Sequence, residues 1–158
     1  MRRLGAIYQQ TIVGLSTLLS ERTRLKAEKQ FDRTTIGAIG NNPLKWAPTR
    51  RLGHDLLSER DDGFLTGPDA VRAAFEDLAD HMAGTAVGAN AAIEAVLGLL
   101  DPAAIEEEAA GQGFSLKGRA AQSWDIHNHR HGSLRGGEQV ERAFRDAYNR
   151  ASTQDSAG

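Results

Sequence analysis

No helix can run through Asn41-Asn42-Pro43-Leu44-Lys45-Trp46. Pro43 fixes its own φ, has no backbone donor, and pushes Asn42 towards an extended conformation. The two asparagines hydrogen-bond readily to nearby backbone and tolerate left-handed conformations, which suits an ordered turn. Leu44 and Trp46 put two large apolar side chains into a segment that is otherwise loop. A loop with such anchors is expected to be pinned to a core, with Trp46 buried. The functional alternative is a surface ridge that presents Lys45 and Trp46 to a partner. None of the six residues performs chemistry.

On both sides of this turn the apolar pattern is helical. Residues 2 to about 33 carry Leu4, Ile7, Tyr8, Ile12, Leu15, Leu18, Leu19, Leu25 and Phe31, whose spacings of three and four make one stripe along a helix with gaps near Arg22 and Glu28. Gly37 and Gly40 mark the end of regular structure. A short helix is expected from Thr49 to Leu57, with Leu52, Leu56 and Leu57 on one side. Thr66-Gly67-Pro68-Asp69 opens a second long helix, because Thr66 can cap it, proline suits the first turn and aspartate suits the positive helix end. Val71, Phe75, Leu78, Met82, Ala86, Ala89, Ile93, Val96 and Leu100 follow at intervals of three or four. The small residues between Ala83 and Ala92, Gly84 and Gly88 among them, let another helix approach closely.

Asp101-Pro102 stops that helix and starts the next, aspartate as N-cap and proline in first position. Glu106, Glu107 and Glu108 read as a solvated face, since consecutive helical residues point apart. A helix from Gly118 to about Arg130 is expected to turn Ala121, Trp124, Ile126 and His127 inward. A last one, Glu138 to Ala151, carries Val140, Phe144, Ala147 and Tyr148, and residues 152–158 read as a frayed tail. There is no sustained alternating pattern, so the fold is expected to be all-α: a single domain over residues 1–151, two long helices packed with three or four shorter ones.

The totals narrow the function. A net charge of −2 over 158 residues argues against general nucleic-acid binding, which needs a basic excess. The absence of cysteine rules out disulfides and thiolate metal sites and fits a reducing compartment. No uninterrupted run approaches the roughly 18 apolar residues of a transmembrane helix. The stretch after Arg2 and Arg3 lacks the form of a secretory signal, so a cytoplasmic protein without membrane insertion is expected.

Catalytic signatures are missing: there is no GxSxG, no Walker A pattern and no cysteine nucleophile. His127 and His131, four apart in His127-Asn128-His129-Arg130-His131, would share one helix face as a two-histidine metal site requires. No third ligand accompanies them, so no metal or cofactor is expected. A histidine-dependent metal-binding or hydrolytic module stays as the alternative to an interaction domain. Arg22, Arg24, Lys26 and Lys29, with Arg33 beyond, form a basic patch. It suits a helix C-terminus, and it would also steer an acidic partner.

Taken in order, several of these markers resemble one known family. Asn41-Asn42-Pro43-Leu44-Lys45 before Trp46, the Ala74-Phe75-Glu76-Asp77-Leu78 run, the Asp101-Pro102 break, Trp124 and the closing Phe144-Arg145-Asp146-Ala147-Tyr148 are similar to the C-terminal domain of type VI secretion system-associated forkhead-associated-domain proteins, called TagH or ImpI. The resemblance implies a non-enzymatic interaction domain or scaffold of an accessory or regulatory protein. Such a domain would act on the cytoplasmic side of the apparatus, with another secretion component as partner. Where the family has aromatic residues after the tryptophan, this chain places His127 and His131, which favours packing over metal binding. The family's phosphothreonine-reading β-sandwich leaves no trace here, so phosphopeptide binding is not expected.

Overall fold

The computed structural model describes residues 2–28, 42–45, 49–58, 65, 67–113 and 117–154. Among them are six α-helices and no strand. They are α1 (Arg2–Glu28), α2 (Thr49–Asp55), α3 (Gly67–Leu99), α4 (Pro102–Gly111), α5 (Arg119–Leu134) and α6 (Glu138–Gln154), with a 3-10 turn over Pro43–Lys45. The class is all-α, as the apolar spacing predicts. Phe31, Gly37, Gly40, Asn41, Trp46 and Thr66 lie outside the described residues, as does the end of the tail, and the first helix is described to Glu28. The chain forms two compact units, one built on the residues up to Ala83 and one on Gly84–Gln154, with α3 contributing to both.

In the first unit, α1 buries Ile12, Leu15 and Leu19, whose three- and four-residue steps bring them to one side. They share a core with Leu44, Leu52, Leu56, Ala70 and Ala74, flanked by Tyr8, Leu65, Val71 and Leu78. Tyr8 ties α1 to α2: its hydroxyl donates to the Gly53 carbonyl at 2.9 Å, and burial pushes the phenol above its ordinary pKa.

In the second unit, Asp101 caps α4 by accepting from the Ala103 amide at 3.1 Å, with Pro102 in the first turn. Ile105 and Ala109 of α4 close on Ile126 of α5. Gly84 and Gly88 of α3 meet α6 directly. A Cβ on Gly84 would lie 3.1 Å from the Tyr148 ring, and one on Gly88 would lie 3.0 Å from the Phe144 carbonyl oxygen. Helix against helix at this distance buries Tyr148 completely. Gly137, at φ 69, makes the left-handed turn that releases the chain into α6.

Several expected core residues are on the surface. Leu57 follows the last turn of α2 and is exposed, while Leu52 and Leu56 are buried. Phe75, Met82 and Ile93 are also exposed; the buried side of α3 carries Ala70, Ala74, Gly84 and Gly88 instead. Both sides of α3 repeat at helical spacing, and the close approach of a neighbouring helix selects the smaller side chains. Trp124 is 62% exposed rather than inward. One feature of α3 bears on the membrane expectation. Thr85, Asn90 and Glu94 interrupt every apolar run, yet α3 contains an 18-residue window of mean hydropathy 1.4, of which 11% is buried. By length and composition it is long and apolar enough to cross a bilayer.

Candidate functional site

Asn42 builds the turn. Its side-chain oxygen accepts from the Leu44 amide at 3.0 Å, its side-chain amide donates to the Ala70 carbonyl at 2.6 Å, and its own carbonyl accepts from the Lys45 amide at 3.1 Å. The first is an Asx turn; the second fastens the loop to α3. Leu44 enters the core at 1% exposure, and its carbonyl accepts from the Ser16 hydroxyl of α1 at 3.1 Å. Pro43 supplies the fixed φ from which the 3-10 turn begins. Local chemistry and one buried side chain thus hold this turn between two helices.

The turn delivers Lys45 to Asp77 of α3. Lys45 Nζ lies 2.7 Å from Asp77 Oδ2, while Arg22 Nη2 of α1 lies 2.6 Å from Asp77 Oδ1. Lys45 sits off the direction a hydrogen bond requires, so its contact with Oδ2 is an ion pair alone. One half-buried carboxylate therefore joins three elements. Arg22 Nε is buried with no hydrogen-bond partner among the described residues. His81, one turn beyond Asp77, is held below the ordinary imidazole pKa. Burial is the main cause, and the positive charges of Arg22 and Lys26 outweigh the opposing pull of Asp77.

The basic patch divides accordingly. Arg24 pairs on its own helix with Glu21 at 2.8 Å and Glu28 at 2.7 Å. Arg22 turns towards Asp77, and Lys26 lies on the side of α1 that faces His81. Lys29 and Arg33 lie outside the described residues. The sequence reading singled out neither Asp77 nor His81 as a site residue. Their four-residue spacing was the available signal, and it means little until Lys45 and Arg22 arrive from elsewhere in the chain.

His127 and His131 do share a face of α5, but they stack with each other, and His127 with Trp124, instead of entering the core. The ring centroids of Trp124 and His127 are 5.3 Å apart, and those of His127 and His131 are 6.2 Å apart. Among the described residues no three potential metal ligands come together. Glu106 and Glu107 are exposed, and Glu108 pairs with Arg130, which also donates to the Leu99 carbonyl at 3.0 Å. A cleft of about 600 Å³ opens in the second unit, lined by Leu99, Leu134, Val140 and Ala143 with Glu138 and Arg142. It contains no histidine. Its one hydroxyl, on Ser133, donates to the Arg130 carbonyl.

Comparison with curated proteins and with solved structures returns no match. The model of one protein family, described as the C-terminal domain of type VI secretion system FHA protein, matches residues 1–154. The match includes the Asn42–Lys45 turn, the Asp77 junction and all six helices. The chain belongs to the family of type VI secretion system FHA-protein C-terminal domains.

Proposed function

We propose that the chain is a non-enzymatic interaction domain of a type VI secretion accessory or regulatory protein, and that it works on the cytoplasmic side of the apparatus. Family membership supports the setting. One observation carries the docking role: α3 leaves large apolar side chains in solvent at helical spacing, with Ile93 56% and Leu97 59% exposed. Scattered exposed leucines need no explanation, but an apolar row along one helix marks a surface used by something else. The occupant is another protein of the secretion machinery. Neither a cofactor nor a phosphorylated peptide enters the reading.

A photo-crosslinking amino acid at position 93, introduced in the cells that make the protein, tests this. The expected result is a discrete adduct with a type VI secretion component. Adducts with lipid alone would overturn the reading in favour of membrane insertion of α3, and the absence of any adduct would overturn it outright.

A further inference from the structure

The first helix carries apolar side chains on two sides, and the core of the first unit uses one of them. Ile12, Leu15 and Leu19 go inward. Leu4, Ile7, Leu18 and Leu25 stay exposed, Leu4 at 66% and Ile7 at 64%. These four belong to a row that steps by three and four in strict alternation, with Thr11 and Gly14 in its middle and Glu21 and Glu28 towards its far end. Sustained over three heptads, that alternation is the pattern of a seam between two helices. The middle of the row is open. Nothing lies within 4 Å of where a Gly14 Cβ would stand, and the Thr11 hydroxyl donates back to the Ile7 carbonyl of its own helix at 2.9 Å.

We propose that this row is where the chain pairs with a second copy of itself, α1 against α1 and antiparallel. Charge selects both the occupant and the direction. Residues 1–20 contain Arg2 and Arg3 and no carboxylate. The second half of the row bears Glu21 and Glu28, which share the guanidinium of Arg24, while Arg22 is turned away to Asp77. A second copy laid parallel would set each of these glutamates against its own equivalent inside the seam, and like charges there repel. Laid antiparallel, with Ile7 beside Leu25 of the second copy, Gly14 comes beside Leu18, and Leu4 beside Glu28. Arg3 then flanks the Glu28 carboxylate of the second copy, and Glu21 meets the short Thr11. Two-fold symmetry makes each of these contacts twice. From Leu4 to Leu25 the row runs about 32 Å. One seam of that length is a small interface, so the pairing is reversible and depends on concentration. It uses a different helix from the α3 face and stands independently of the secretion partner.

The test is sedimentation equilibrium of the full chain from about 1 μM to 1 mM, a range that covers weak pairing. We expect the mass to rise from one chain to two. Leu18→Asp should weaken the pairing about tenfold or more, the worth of one buried leucine. Should Leu18→Asp fail to fold, Arg3→Glu at the exposed end of the helix also weakens it, and Arg3→Glu together with Glu28→Arg restores it. Direction is read by crosslinking. The chain has no cysteine, so introduced thiols are the only ones present. A mixture of Ile7→Cys and Leu25→Cys proteins should form a mixed disulfide under mild oxidation, ahead of the disulfide of Ile7→Cys with itself. A single chain at every concentration would overturn the proposal, as would pairing that both Leu18→Asp and Arg3→Glu leave unchanged. Preferential Ile7→Cys self-crosslinking would overturn it in favour of a parallel pair. A chain that stays single but co-sediments through Leu18 with phosphatidylcholine–phosphatidylglycerol vesicles would assign the row to a lipid surface instead.

Discussion

Asn42 does the work of a fastener, and its loss can be estimated from its contacts. Asn42→Ala removes the acceptor for the Leu44 amide and the donor to Ala70, and leaves the amide buried without a partner. The expected cost is about 1–3 kcal/mol, measured as a lower urea midpoint. A change inside ±0.5 kcal/mol would mean that the turn forms without it. His81 makes the second prediction at this scale. Its folded pKa lies below the unfolded value near 6.5, so the unfolded chain binds more protons between those two values. Stability therefore rises with pH through that window and is lost on acidification. Urea midpoints measured from about pH 7 down to pH 5 should fall, and His81→Gln should flatten the dependence. An identical slope in the variant would place the titrating group elsewhere. The turn was legible in Asn42, Pro43 and Leu44, because local backbone chemistry dictates it. Asp77 and His81 were not, because their environment comes from side chains on α1 and on the turn, and nothing in a local pattern specifies those contacts.

Each helix face answers to its neighbour, and α3 shows this most clearly. Its sequence repeats on two sides, Phe75, Met82, Ala86, Ala89 and Ile93 on one and Ala70, Ala74, Gly84 and Gly88 on the other. Periodicity alone favours the side with more carbon, but close packing takes the side with less. Glycine substitutions separate the two situations. Gly88→Ala places a methyl group 3.0 Å from the Phe144 carbonyl oxygen, a backbone atom that yields only if α6 shifts. Its gain in helix propensity, up to about 1 kcal/mol, is smaller than an overpacking cost of about 1–3 kcal/mol. The net effect should be destabilising. Gly14→Ala, in the middle of α1 with nothing within 4 Å of the new methyl, should stabilise by about 0.5–1 kcal/mol. Thermal denaturation of the two variants should move in opposite directions. A stabilised Gly88→Ala would mean that α3 and α6 are not in contact there. Asp101-Pro102 was legible for the opposite reason, since a cap and the first turn after it involve only consecutive residues.

For the molecule as a whole, the all-α class followed from three-four spacing on both sides of the Asn42–Lys45 turn, and the family from a few short markers held in order. The surface was less legible. Trp124, Met82 and Leu57 all read as core, because composition cannot say which of several apolar faces has a neighbour. Those exposed faces are what support the proposed interaction domain. The most direct test is type VI secretion by cells carrying Ile93→Asp together with Leu97→Asp. Two carboxylates on that face leave the solvent-exposed helix able to fold but remove its apolar contact. The account predicts a normal helical circular dichroism spectrum, a normal level of the protein, and a fall in secretion of about tenfold or more, the usual consequence of losing interface anchors. Secretion at the unaltered level, with the folded variant present in normal amount, would contradict it.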